Sequence, residues 1–488
     1  MAAQKVSYYL GKRKTYQRIG FALGPIIALI ILFLPNPYSL PPEAWRVVAM
    51  MTWLAIWWAT EAIPVPATSL IPIVYLPLMG VTTLSQATTP YAAPIIFLLL
   101  GGFIIAMTMQ RWNLHKRIAL IILVRVGNKP ANLIGGFMAA SALISMWVSN
   151  TSTTLMMIPI ALSVAKEVVG EKTWRHPFTI ALMLGIAWSS SIGGLGTPIG
   201  TPPNVMLLAY FNDNLNIEIN FIQWMSFAVP IVILMVPSAW FVLTKWAFDI
   251  NKGIIGDGAD AVKSQLKALG TITVPEKRTA ILFIIISLSW ATRPILNSFE
   301  PLANLSDTII AVTGAIAMFI VPSGSEDKDV FLLDWDWAVR IPWGVILLFG
   351  GGLSMAAAIS STGLAVWLGE GLSFLTTYEM IFFIGILVAL VIFLTELTSN
   401  TATTAALLPV LVAIAAAGNI DPILLAAPVA MAASCAFMFP VATAPNAIIF
   451  AGGQVTIPDM VRAGFRLNLF GIIIITTLCY TLLPLVFG

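Results

Sequence analysis

Ser149-Asn150-Thr151-Ser152-Thr153-Thr154 and Ser399-Asn400-Thr401-Ala402-Thr403-Thr404 are one phrase written twice, 250 positions apart (399 − 149). Each copy has a proline ten positions after its serine, Pro159 and Pro409. Gly101-Gly102 and Gly351-Gly352 keep the same spacing. Thr201-Pro202-Pro203-Asn204 is echoed by Thr443-Ala444-Pro445-Asn446 at an offset of 242 (443 − 201). Three correspondences in the same order point to an internal duplication. Both polar phrases lie inside strongly apolar sequence. Small hydrogen-bonding side chains in hydrocarbon are unfavourable unless they bind something or satisfy freed backbone groups.

The rest of the composition agrees with that setting. The chain is 59% hydrophobic and 10% charged, with a mean hydropathy of +0.93. A soluble domain carries roughly a quarter charged residues, so the chain reads as an all-α polytopic membrane protein. Cys435 and Cys479 both fall in apolar segments, which indicates neither a disulfide framework nor a metal site. The first apolar run, Ile19 to Leu34, is too long for a signal peptide and lacks a small-residue cleavage site, so it reads as a retained helix.

Apolar segments fall at 19–35, 45–62, 66–82, 94–110, 132–165, 178–211, 225–248, 279–297, 306–322, 341–360, 379–417, 421–452 and 464–486. Those at 132–165 and 379–417 are broken by the two phrases, and those at 178–211 and 421–452 break near Gly200 and Thr443. The stretch 110–131 is helical in pattern but basic (Arg111, Lys116, Arg117, Arg125, Lys129) and suits a helix lying along the interface. Its counterpart, 361–373, is nearly uncharged.

With a cytoplasmic N-terminus and each phrase-bearing segment entering and leaving on one side, 23 of the 25 Lys and Arg fall inside, leaving only Arg46 and Arg293 outside. The positive-inside rule supports that orientation and places the C-terminus outside. Residues 1–44 then form the N-terminus and first helix, 45–248 a first repeat, 249–278 a cytoplasmic connecting loop and 279–488 a second repeat. Each repeat makes an odd number of crossings, so the second is inverted. Inverted repeats with broken helices are the pattern of secondary transporters. Fewer than fifteen residues separate Gly135-Gly136 from Ser149, which favours a re-entrant hairpin over two full spans.

Asn and Thr at a helical break supply side-chain oxygens, freed carbonyls and the N–H groups of a new helix start. Carbonyls and hydroxyls suit a hard cation, and half-helix N-termini suit a carboxylate. Ser189 to Pro203, dense in Gly and Pro, reads as unwound backbone lining a cavity. No enzymatic grouping is present: the only histidines, His115 and His176, fall on the cytoplasmic side, and neither Gly-rich run carries the Lys-Ser/Thr of a phosphate loop. Glu61 and Glu396 are carboxylates within or at the end of apolar segments, each open to a proton-relay or a structural reading.

The paired Ser-Asn-Thr phrases, Thr60-Glu61-Ala62-Ile63-Pro64 and Pro440-Val441-Ala442-Thr443-Ala444-Pro445-Asn446 resemble the divalent anion/sodium symporters, the INDY-type carboxylate transporters. The resemblance covers nearly the whole chain. It implies a homodimer of about eleven transmembrane helices per chain with two opposed re-entrant hairpins, working as an elevator. Residue by residue, it implies a first sodium site at Ser145, Ser149, Asn150 and Gly200 and a second at Thr395, Thr398, Asn400 and Ala442. It implies substrate contacts from Asn150, Thr151, Thr201, Pro202, Asn400, Thr401, Thr443 and Ala444. The chain departs from many relatives at Ala444, where a proline is usual, and that position bears on the pocket wall.

The expected function is sodium-coupled import of small dicarboxylates such as succinate, malate or fumarate across a bacterial-type inner membrane. Sodium is the coupling ion, with no other cofactor and no nucleic-acid partner. A dicarboxylate exchanger or a sulfate or citrate transporter on the same fold is the nearest alternative; a channel or membrane sensor is the alternative from another class.

Overall fold

A computed structural model describes residues 15–37, 40–127, 129–170, 175–256, 258–325, 329–372 and 379–487. Six of the basic residues used to orient the chain, Lys5, Lys12, Arg13, Lys14, Lys172 and Lys328, lie outside them. Among the described residues the chain is helical apart from one bridge between Pro322 and Phe331. Among the described residues nine helices are long and apolar enough to cross a membrane. It is an integral, multi-pass membrane protein.

The segments carrying the motifs are interrupted where the polar phrases fall. The first is Pro130–Ser145 followed by Asn150–Val169. The second is Met380–Thr395 followed by Asn400–Ala417. Their partners are Pro177–Gly194 with Pro202–Leu215, and Ile423–Ala433 with Ala444–Ala451. The break expected near Gly200 thus runs over 195–201, and the one expected near Thr443 is longer, 434–443. Pro202 and Pro445 stand in the first turn after each break, where a missing N–H does no harm.

Pro177–Gly194 is the axis of the first half, buried at every residue from Phe178 to Gly194. It touches the helix Pro130–Ser145 backbone to backbone: a Cβ added at Gly193 would lie 2.5 Å from the Ala142 Cα. The duplicated glycine pairs mark the same kind of crossing. A Cβ at Gly101 would lie 2.7 Å from the Ala311 carbonyl carbon, and one at Gly351 would lie 2.7 Å from the Ser69 Cβ. The halves also interlock. Pro202–Leu215 packs on Asn400–Ala417, while Ala444–Ala451 packs on Asn150–Val169.

Two expectations are refined. The single segment 66–82 is two short helices, Val65–Thr68 and Ile71–Leu78, because Pro72 has no N–H to return to the preceding turn. The loop 249–278 carries its own helix, Ala259–Ala268, tied to the helix Asn150–Val169 by the Ala261 N–H on Glu167 Oε2 at 2.8 Å. The basic stretch after Arg111 forms the helix Leu114–Arg125. Arg117 on that helix is buried and held by Glu276 at 2.5 and 3.1 Å and by the carbonyls of Leu269, Gly270 and Thr271.

Candidate functional site

All four breaks end in a helix start, and the residue before each start is a motif hydroxyl: Ser149, Thr201, Ser399 and Thr443. The first N–H groups of a helix have no partner within it and carry partial positive charge. The starts at Asn150 and Asn400 offer such donors for carboxylates; at Pro202 the first two residues are prolines without an N–H, and at Ala444 the second is, so those two ends contribute mainly their dipole. The halves meet at the breaks themselves, where Thr201 Oγ1 lies 3.5 Å from Ser434 Oγ.

The first break gathers oxygens around Asn150. Ser145 Oγ donates to Asn150 Oδ1 at 2.6 Å. Gly194 opposes this pair: a Cβ there would sit 2.8 Å from Asn150 Oδ1 and 3.0 Å from the Gly200 carbonyl oxygen. A hydroxyl, an amide oxygen and a backbone carbonyl therefore converge where glycine leaves room. Thr154 Oγ1 bonds back to the Asn150 carbonyl at 2.8 Å and steadies the first turn.

The second break repeats the arrangement. Thr395 Oγ1 lies 2.8 Å from Asn400 Oδ1 and 2.8 Å from the Ala433 carbonyl oxygen. One hydroxyl proton cannot serve both acceptors at once. An excess of oxygens over protons suits a hard cation, and Ala433 is the last residue of its half-helix, where carbonyls are free. Thr404 Oγ1 bonds the Asn400 carbonyl at 2.9 Å, as Thr154 does in the first copy. Ala442 is buried beside Thr443, whose hydroxyl accepts from the Asn446 N–H at 3.2 Å.

Not every expected residue joins these clusters. Ser149 caps its helix, accepting from the Ser152 N–H at 3.3 Å. Thr398 bonds the Leu394 carbonyl at 2.9 Å and pairs with Thr403 Oγ1 at 2.7 Å. Both therefore brace the breaks between their helices. Thr151 and Thr401 occupy the first helical turns, half-buried and buried; Pro202 is half-buried and Ala444 exposed. The Glu61 position is a left-handed helix end with φ 46°, exposed, its carbonyl accepting from Gln17. Glu396 is buried and fully engaged. Its oxygens accept from the N–H groups of Phe437, Met438 and Phe439 and from Asn468 Nδ2, at 2.7 to 3.1 Å.

Residues outside the expected set complete the breaks. Thr197 gives its hydroxyl to the Met146 carbonyl, tying the break at 195–201 to the one at 146–149, as Glu396 ties the other pair. Asn204 and Asn446 turn their amides onto the unwound carbonyls. These asparagines stood in the duplicated phrase at the 242 offset, so a signal existed; Asn468, in an apolar stretch, had none. A separate cavity of about 480 Å³, lined by Thr82, Gln86, Asp213 and Ser354 among others, contains no motif residue.

Comparison with known proteins identifies the family. The family model described as the sodium:sulfate symporter transmembrane region matches residues 18–487. The chain is 42% identical over 479 residues to a protein named sodium-dependent dicarboxylate transporter SdcS from Staphylococcus aureus strain bovine RF122, covering 97% of this chain and 92% of the relative. The protein of the same name from strain MRSA252 is 42% identical over 481 residues, with the same coverage. A solved structure, the Alcanivorax borkumensis YdaH transporter, shares the fold with a TM-score of 0.59 at 15% identity, over 91% of this chain and 99% of that one. The chain belongs to the sodium:sulfate symporter family, the divalent anion/sodium symporters whose motifs it carries.

Proposed function

We propose that this protein imports small dicarboxylates, of the succinate, malate and fumarate class, coupled to sodium. Its membership of the family and its 42% identity to sodium-dependent dicarboxylate transporters support the reading. The observation that carries it is the duplicated nest of Ser or Thr hydroxyl, Asn oxygen and backbone carbonyl at two helix starts. Residues 145–154, 189–204 and 440–446 hold no Lys, Arg, His, Asp or Glu. A dianion bound there takes its countercharge from bound cations and helix N-termini, which makes substrate binding depend on sodium.

The proposed first sodium site uses Ser145, Asn150 and Gly200, with Ser149 holding the turn; the second uses Thr395, Asn400 and Ala442, with Thr398 holding its turn. Asn150-Thr151 and Asn400-Thr401 clamp the carboxylates, and Thr201, Pro202, Thr443 and Ala444 close around them. The finer architecture follows from the same reading: two inverted repeats, 45–248 and 279–488, joined through 249–278, with eleven spans and two re-entrant hairpins. A homodimer works as an elevator in a bacterial plasma membrane, with the N-terminus inside and the C-terminus outside. The matching bonds at Asn150 and Asn400, and the interlocking half-helices, support the duplication.

The test is uptake of labelled succinate by purified protein in liposomes under an inward sodium gradient, with sulfate as a competitor. Sodium-dependent succinate uptake that sulfate fails to compete is expected; uptake indifferent to sodium refutes the coupling. For orientation, Cys435 and Cys479 are replaced and single cysteines placed at Asn212 and Ser264. An impermeant thiol reagent should reach the first only from outside and the second only from the cytoplasm.

A further inference from the structure

Asn204 and Asn446 stand at matching places in Thr201-Pro202-Pro203-Asn204 and Thr443-Ala444-Pro445-Asn446, and both are wholly buried. Each turns its side-chain amide back onto the break that precedes it. Asn204 Nδ2 donates towards the carbonyls of Gly194 at 3.0 Å, Leu195 at 3.2 Å and Thr197 at 2.8 Å. Asn446 Nδ2 donates towards those of Ala436 and Phe439, both at 3.1 Å. One nitrogen in each copy thus collects carbonyls that an unwound, buried segment would otherwise strand.

The other end of each amide behaves differently. Asn204 Oδ1 and Asn446 Oδ1 are both buried without a hydrogen-bond partner among the described residues. A stranded buried oxygen is unfavourable, and an apolar side chain of similar size would avoid it. Packing therefore does not explain asparagine at either place, whereas the Nδ2 donors do.

We propose that Asn204 and Asn446 are positioning residues for the two cation sites, each fixing the direction of a ligand carbonyl by clamping the turn that bears it. The inference rests on the site reading above, which puts the Gly200 and Ala442 carbonyls on the cations. In the first copy the clamped Gly194 lies against Gly200: a Cβ at Gly200 would come within 3.0 Å of the Gly194 Cα. Any shift of Gly194 moves the space shared by Asn150 Oδ1 and the Gly200 oxygen. In the second copy the clamped Phe439 carbonyl also accepts the Ala442 N–H at 3.3 Å, which limits rotation of the peptide leading into Ala442. A small cation held by few oxygens is more sensitive to one misaimed carbonyl than a dianion held by several N-termini.

The test replaces each asparagine by leucine, which removes the donors at similar volume, and by serine, which keeps one donor and is the fallback where leucine prevents assembly. Purified variants in liposomes are titrated with sodium at saturating succinate and with succinate at saturating sodium. The sodium needed for half-maximal uptake should rise roughly tenfold in Asn204→Leu and Asn446→Leu, the range expected for losing a hydrogen bond that holds a charged-ion site together. The succinate half-saturation at saturating sodium should stay near wild type. A wild-type sodium titration with only a lower maximal rate or melting temperature, in the leucine or the serine variants, overturns the proposal and leaves a structural role. Asn150→Ala run alongside separates the two failures. If it keeps wild-type sodium activation, the site reading itself is wrong; if it is crippled while Asn204 and Asn446 variants titrate normally, only the positioning role fails.

Discussion

Replacing Glu396 by glutamine discriminates sodium coupling from proton coupling and has a size that follows from its contacts. Oε1 accepts from Phe437 N at 2.7 Å, Met438 N at 3.0 Å and Asn468 Nδ2 at 2.9 Å, and Oε2 from Met438 N at 2.9 Å and Phe439 N at 3.1 Å. A glutamine that keeps its oxygen in the Oε1 place retains the first three and turns an NH2 towards Phe439. One buried N–H is then orphaned, since Met438 keeps its other acceptor. An orphaned buried donor costs about 1–3 kcal/mol, and the retained bonds weaken as their acceptor becomes neutral. Removing a buried charge offsets part of this. The net loss is on the order of 2 kcal/mol. Glu396→Leu orphans all four donors, roughly 4–12 kcal/mol, which rivals the stability of a whole domain.

Glu396→Gln should therefore assemble with a lowered melting temperature and keep a substantial part of sodium-driven succinate uptake. Glu396→Leu should fail to assemble. The assay compares uptake into liposomes under an inward sodium gradient with uptake under a pH gradient in sodium-free buffer. Uptake that runs on the pH gradient without sodium, and vanishes in Glu396→Gln, would show Glu396 to be a proton carrier and refute the structural assignment.

Asn150→Ala and Asn400→Ala should each nearly abolish transport in folded protein, because the proposed site has each asparagine contact both a cation and the substrate; losing one bond to a charged species is worth roughly 10- to 150-fold in affinity. Gly194→Ala should raise the sodium requirement, since its Cβ would crowd Asn150 Oδ1 at 2.8 Å and the Gly200 carbonyl oxygen at 3.0 Å. Gly200→Ala should instead lose folded protein, because its Cβ would meet the Gly194 backbone, with the Gly194 Cα at 3.0 Å. His115, on the helix Leu114–Arg125, is pushed from 6.5 down to about 4 by burial, with Lys116 adding to the effect and the bond to the Met109 carbonyl opposing it. The unfolded chain takes up a proton that the folded one refuses between those values, so stability is lost as pH falls from 6.5 towards 4. The melting temperature should fall across that window, and His115→Gln should flatten the decline by up to about 1.4 kcal/mol per pH unit; an unchanged slope would contradict it.

The helices and their interruptions were legible because membrane physics writes them plainly. Long apolar runs and Gly/Pro-rich gaps have few other meanings, and the helix breaks at Ser149 and Ser399 fall where the polar phrases predict. Asn150 and Asn400 were legible as paired positions because the duplicated phrase contains both, and Ser145 and Thr395, expected from the family resemblance, lie within hydrogen-bond reach of them. What composition could not show was which hydroxyls face inward. Ser149 and Thr398 match the family pattern, and their hydroxyls are engaged within the turns by the Ser152 N–H and the Leu394 carbonyl. Nor could it show that the Ala433 carbonyl comes within reach of Thr395, because backbone oxygens leave no trace in residue identity.

The supports behind the two nests are where the copies part, and that divergence bears on the coupling ion. Position 146 is methionine and position 396 is glutamate, yet each helps tether its break. In the first copy the Met146 backbone carbonyl takes the Thr197 hydroxyl; in the second the Glu396 side chain takes three backbone N–H groups and an amide. A neutral carbonyl and a carboxylate cannot share a proton-carrying function, but they can share a tethering one. Both Glu396 oxygens already face N–H donors, so a proton on either would meet another hydrogen. What the two copies retain in common is hydroxyl, amide oxygen and backbone carbonyl around an asparagine at a helix start, a ligand set that binds an alkali cation and has no group to titrate.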